Sequence, residues 1–259
     1  MPTKILLTPY FLEKPEPYYT QIARPEWLIN PQAPTAGETR QAIQPIHQPI
    51  ADFVATTAVS GDIPVSLAGD CVTTTAVLAG LQRAHIDPLL IWFDAHGDFN
   101  TDDTTPSGFL GGMPLAMMVG LGDQVLMQAL GARLLPPQDV ILTDGRDLDP
   151  GERELVEQSG IHHLPNPADL LTYDLPPDRP LWLHFDTDIM RLEDMPSAAY
   201  PAEGGPELHL LRQLLARLWQ TGQVAALSVT LWSPELDPPP MRQAETAVLD
   251  LLAPYLNLS

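Results

Sequence analysis

The chain has 259 residues carrying 33 acidic against 13 basic side chains, a formal net charge of -20. That balance excludes polyanionic partners, nucleic acid and anionic membrane surfaces alike, and suits a protein that draws in metal ions and cationic small molecules. The length suits one domain over residues 1–259, with chain enough for a substantial core.

In chain order, residues 4–8 read as the first strand, because the opening apolar stretch is too short for a signal peptide. The proline-rich segment 15–34 reads as a loop placed to cover an active site. Strands follow at 63–67, 89–94, 140–143, 181–186 and 225–229. Helices follow at 72–84, 115–119, 151–159, 207–220 and 244–256, the fourth with apolar residues at three- and four-residue spacing. Segment 176–180 reads as a second loop, and Pro238-Pro239-Pro240 breaks the chain before the last helix. Alternation of strand and helix predicts an α/β fold in three layers, a mainly parallel sheet with helices on both faces. No apolar run approaches the length of a membrane span. A cytoplasmic protein, monomer or homo-oligomer, is expected.

Two strand ends carry chemistry. The apolar run 89–93 leads into Asp94-Ala95-His96-Gly97-Asp98, and alternation along an extended strand would project Asp94, His96 and Asp98 to one side. Hard oxygens with one nitrogen suit Mn(II) or another divalent first-row ion. The run 181–185 likewise ends in Asp186-Thr187-Asp188. Ligands of open α/β sheets bind outside the carboxyl ends of the strands, so neighbouring parallel strands would bring these carboxylates together. Such a cluster needs cations to neutralise it, and two ions suit its charge better than one. Turn and cap roles explain each aspartate singly, but not the matched pairs.

Four segments in chain order resemble the ureohydrolase superfamily of arginases and agmatinases. They are Ala68-Gly69-Asp70-Cys71, the stretch from Asp94 to Asn100, the stretch from Ser107 to Pro114, and Asp186-Thr187-Asp188. The resemblance implies an arginase-like fold and a centre of two Mn(II) ions. One would be held by Cys71, Asp94, Asp98 and Asp186, the other by Asp94, His96, Asp186 and Asp188. It also implies that Asp98 orients the attacking water and accepts its proton.

The chain departs from the family pattern at several positions. Cys71, the only cysteine, stands where the pattern has a histidine. It reads either as a thiolate ligand or as a small buried hydrophobe. A lone cysteine cannot form an internal disulfide, which fits a reducing compartment. Gly111 stands where arginases place a proton-shuttling histidine, a kind of loss that typically costs about 100- to 10,000-fold in rate. Leu231 takes the place of a glutamate that pairs with the guanidinium, and Glu235 is the nearest substitute. Phe109 replaces an asparagine. His184, two residues before Asp186, reads as a buried histidine or as a group behind the ligands.

The segment from Gly145 to Glu152 resembles the arginase segment that recognises an α-ammonium group. It implies contact by Asp149, supported by Glu152, while Asn100 and Ser107 match positions that hold the α-carboxylate. Asp149-Pro150-Gly151-Glu152 is equally a helix start in its own right. Together these features imply a guanidine-bearing amino acid rather than a bare amine. The cysteine and the absent shuttle are similar to a branch that hydrolyses Nω-hydroxy-L-arginine to hydroxyurea and ornithine in antibiotic (D-cycloserine) biosynthesis. Arginase, agmatinase and another guanidino or formimino hydrolase stand as alternatives. So do a ureohydrolase-like binding protein without catalysis and a metal-stabilised structural protein.

Overall fold

A computed structural model describes residues 1–230 and 242–256. Leu231, Glu235 and Pro238-Pro239-Pro240 lie outside the described residues. The first half of the chain runs β1 (Thr3–Thr8), β2 (Tyr10–Phe11), β3 (Lys14–Pro15), α1 (Pro17–Ile22), β4 (Leu28–Ile29), α2 (Thr39–Ala42), α3 (Gln44–Val59), β5 (Ile63–Ala68), α4 (Thr74–Arg83) and β6 (Leu89–Asp94). The second runs α5 (Pro114–Met118), α6 (Val125–Leu130), β7 (Val140–Asp144), α7 (Pro150–Ser159), β8 (His162–Leu164), β9 (Leu181–Asp186), α8 (Leu208–Gln220), β10 (Val224–Thr230) and α9 (Gln243–Leu252).

Eight strands form one sheet in the order β4-β1-β5-β10-β9-β6-β7-β8, and every pairing in it is parallel. Parallel strands buried on both faces call for unbroken apolar runs, and β5 and β6 are buried along their whole length. Alternation sorts their side chains into two cores. Leu90, Trp92, Leu142 and Trp182 pack under α3, α4, α5 and α6. Leu89, Ile91, Phe93, Leu183 and Phe185 pack under α8 and α9 on the other face. This is the three-layer α/β architecture expected from the sequence.

Several elements differ from the sequence reading. Helix α3 is long and was not among the helices read from the sequence; two prolines, Pro45 and Pro49, fall within it. Pro45 occupies its first turn, where the missing N–H costs nothing, and Pro49 is accommodated inside. Segment 15–34 is not simply loop, since it holds α1 and the edge strand β4. Nor does it line the central cleft; there the antiparallel β2–β3 hairpin presents Phe11.

The connection from β5 to β6 skips two positions in the sheet, which β10 and β9 fill later in the chain. Over the carboxyl ends of these four strands lies the cleft. Ligands collect at such points in open α/β sheets.

Candidate metal centre

Three of those strands end in the same local device. Asp70, Asp94 and Asp186 each accept, on one carboxylate oxygen, the backbone N–H two residues further on. The distances are 2.9 Å from Val72, 2.7 Å from His96 and 2.8 Å from Asp188. An aspartate that turns its own backbone stops the strand. The turns therefore deliver Cys71, His96 and Asp188 over the sheet. Here the sequence reading is corrected: extended alternation holds only as far as Asp94. His96 lies in a bend, Asp98 has a left-handed backbone with φ +48°, and Asp188 sits in a 3-10 turn.

Turning of the chain still brings the metal-site candidates together. Ligand atoms of Cys71, Asp94, His184 and Asp186 lie within 4.8 Å of one another, as do those of Asp94, His96 and Asp188. Asp94 belongs to both groups. Its second oxygen accepts from Trp92 Nε1 at 2.9 Å. The thiol of Cys71 donates to Asp186 Oδ2 at 3.0 Å, and Thr230 donates to the same oxygen at 2.5 Å. His96 Nδ1 is 3.0 Å from Asp188 Oδ2. Asp98 stands outside both groups, although it lines the same cleft.

The electrostatics call for added positive charge. Asp94 is 1 % exposed and Asp98 6 %. Burial, then the Asp186 charge, raises Asp94. Burial, then Asp94 and Asp186, pushes Asp98 well above the carboxylate range. Burial and Asp188 bring Asp186 up to about 7, and burial with three neighbouring aspartates raises the Cys71 thiol. For His96, burial opposes the charge, but Asp188 and Asp94 outweigh it and push its pKa up to about 12. One imidazolium cannot balance four carboxylates. Asp98 Oδ2, moreover, is buried with no hydrogen-bond partner. An acceptor-only group held that way, within an oxygen, nitrogen and sulfur donor set, fits divalent metal ions.

The candidate substrate residues line the same cleft, a space of about 330 Å³. Asn100 donates to Asp149 Oδ2 at 3.0 Å and accepts from Thr104 at 3.0 Å, so its amide already ties the loop after β6 to the start of α7. Glu152 is buried and accepts from the Phe99 N–H at 2.8 Å and the Asp149 N–H at 3.1 Å. Gly97 leaves it room, since a Cβ there would lie 2.6 Å from Glu152 Oε1 and 2.6 Å from Leu148 Cδ2. Ser107 is exposed at the rim and accepts from the Phe109 N–H at 3.2 Å.

Two features were not read from the sequence. Phe109 stacks on Tyr200 at 4.8 Å and lies 6.0 Å from Phe11, forming an aromatic wall built from three distant segments. Arg146 pairs with Asp144 and donates to the carbonyls of Asp188, Ile189, Ala202 and Glu203. It thus clamps the turn that carries Asp188. His184, read from the sequence as a buried histidine or as a group behind the ligands, is fully buried with its Nε2 3.6 Å from Cys71 Sγ. No spacing in the sequence points to Tyr200.

The arginase family model matches residues 29–253. Among similar proteins, the Nω-hydroxy-L-arginine amidinohydrolase of Streptomyces lavendulae is 31% identical over 252 residues, 96% of this chain and 84% of that one. The arginase of Bacillus subtilis is 32% identical over 187 residues, 67% of this chain and 62% of that one. Among solved structures, a Bacillus subtilis arginase superposes with a TM-score of 0.81 at 21% identity, covering 99% of this chain and 98% of that one. The formimidoylglutamase of the same species superposes with a TM-score of 0.67 at 15% identity, covering 99% and 87%.

Proposed function

The chain belongs to the arginase family, and from that membership we propose a dinuclear metal-dependent amidinohydrolase acting on a guanidine-bearing amino acid. Its substrate is Nω-hydroxy-L-arginine, cleaved to hydroxyurea and ornithine. One observation carries this choice. Gly111 offers no titratable group, and the ring of Phe109 occupies the space where a side chain at that position would begin. The departing amine therefore receives no proton from that side. An N-hydroxyguanidine tolerates the loss, because its electron-withdrawing oxygen makes it less basic, more often neutral and more open to attack. The similarity to the Streptomyces lavendulae amidinohydrolase along 96% of the chain supports the same substrate.

Cys71, Asp94, Asp98 and Asp186 would hold one Mn(II), and Asp94, His96, Asp186 and Asp188 the other. Bound there, the ions supply Lewis acidity, lowering the pKa of water toward neutrality and stabilising negative charge that develops at the reacting carbon. Asp98 is the proton acceptor. The carboxylate oxygen that it does not give to the metal takes a proton from the attacking water and returns it to the leaving nitrogen. Water oxygen bonds to the guanidine carbon, one of the water protons passing through Asp98 to the ornithine nitrogen and the other to the hydroxyimino nitrogen. The bond from that carbon to the ornithine nitrogen breaks as the carbonyl forms, which releases hydroxyurea and the amine. Asp149 receives the α-ammonium group with Glu152 behind it. Asn100 and Ser107 receive the α-carboxylate, and the aromatic wall closes over the aliphatic chain.

Incubating the Mn-loaded protein with Nω-hydroxy-L-arginine, L-arginine and agmatine, and assaying ornithine and hydroxyurea, tests the reading. Both products are expected from the first substrate. Silence on all three removes the proposal.

A further inference from the structure

His184 lies beneath the ligand cluster and is fully buried. Sheet register sets it beside Trp92 on β6 and Ser228 on β10, with the Trp92 ring 3.8 Å from its own. Hydrogen-bond accounting around it favours one arrangement. Trp182 Nε1 can only donate, and it meets Ser228 Oγ at 2.9 Å. The serine hydroxyl has one proton, and the other polar partner of its oxygen is His184 Nδ1, at 3.0 Å. If Ser228 donates to Nδ1, every polar atom in the row is satisfied. The ring proton then sits on Nε2, which faces Cys71 Sγ at 3.6 Å. In the reverse tautomer the serine proton has no acceptor among the described residues, and buried donors are rarely left so.

We propose that His184 is a positioning residue for Cys71, its Nε2–H donating to the sulfur and holding it as a thiolate ligand. This rests on the reading of Cys71 as a ligand. The sulfur is buried with Asp186 Oδ2 at 3.0 Å, and the N–H of His184 is the donor aimed at it from beneath. A thiolate that accepts an N–H also gives less electron density to its metal. The imidazole that the family pattern has at position 71 is thus replaced by a pair, sulfur on the metal and imidazole behind it. Trp182 and Ser228 fix the tautomer, as partners on the far ring nitrogen commonly do at metal sites.

The test uses the full chain loaded with Co(II), read by its sulfur-to-cobalt charge-transfer absorption and its Co(II) affinity. A band is expected in the unsubstituted protein and not in Cys71→Ser. His184→Leu should move the band to longer wavelength and weaken Co(II) binding about 10- to 100-fold. His184→Gln keeps an N–H toward the sulfur and should restore both. Ser228→Ala leaves the ring in place but frees its tautomer, and should give a smaller shift in the same direction. It carries the test should His184→Leu fail to fold. A band unmoved in His184→Leu and Ser228→Ala overturns the proposal. So does a band of unchanged energy accompanied by d–d absorption reporting a lost nitrogen ligand, which would make His184 a ligand itself. No band in the unsubstituted protein instead overturns Cys71 as a ligand, and this inference with it.

Discussion

The Phe109 ring excludes a side chain at Gly111: a Cβ there would lie 2.3 Å from its Cε1. That ring is backed by Tyr200 at 4.8 Å, with Phe11 beyond, so it cannot swing away freely. Two departures that look independent in the sequence are one packing event. Gly111→Ala should cost about 1–3 kcal/mol as an overpacked site, and Phe109→Ala in the same chain should relieve it. Thermal unfolding of both single variants and the double variant measures the coupling, expected at about 0.5 kcal/mol or more. Strict additivity would contradict the relationship.

Metal removal should destabilise the protein. Ions bound to the native state stabilise it by mass action, about 2.7 kcal/mol at a hundredfold excess over Kd, and here they also relieve carboxylate repulsion. Calorimetry before and after chelation should show a lower Tm that divalent ions restore. A Tm indifferent to chelator would mean that the acidic cluster is held together without cations.

Asp149 can be tested without losing its structural role. Asparagine is as good an N-cap as aspartate, so Asp149→Asn keeps the start of α7 while removing the charge offered to an α-ammonium group. Charged hydrogen bonds contribute about 1.5–3 kcal/mol, which corresponds to a rise in KM of roughly 10- to 100-fold. Steady-state kinetics with an unchanged melting curve would match this role. Unchanged KM would assign Asp149 to the cap alone.

Acid sensitivity should trace partly to His47. The ring is buried against the carbonyl oxygens of Ile43 and Val72, and burial lowers its pKa below the ordinary value of 6.5. A histidine kept neutral in the folded state binds its proton more readily once unfolded. Stability from this group is therefore present above about pH 6.5 and lost as pH falls below that value. Urea unfolding at pH 7.5 and pH 5 should show a smaller acid loss in His47→Gln than in the parent chain. Equal losses would remove His47 from the acid limb.

Much of this was legible in the sequence, for identifiable reasons. Strands β6 and β9 have the bounds expected, because a parallel strand buried on both faces is an unbroken apolar run that stops at its carboxylates. The edge strands β4 and β8, of two and three residues, carry too little pattern to be seen. Within the site, Asp94, His96, Asp186 and Asp188 were found through strand periodicity, although turns rather than alternation bring His96 and Asp188 into place. Turn geometry is a property of backbone hydrogen bonds, and aspartates that cap turns have the same spacing as aspartates that bind metal. The aromatic wall was invisible because Phe11, Phe109 and Tyr200 meet only through tertiary packing. His184 stood in plain view, but its role depends on the register that sets it against Trp92 and Ser228.

The most direct measurement is the ratio of kcat/KM for Nω-hydroxy-L-arginine to that for L-arginine, taken with the Mn-loaded chain. Removing a positioned acid or base costs about 100- to 10,000-fold, and only L-arginine should bear that cost. The hydroxylated substrate should therefore lead by about a hundredfold or more. A ratio near one, or one that favours L-arginine, would contradict the assignment and make the protein an arginase that works without a shuttle at Gly111.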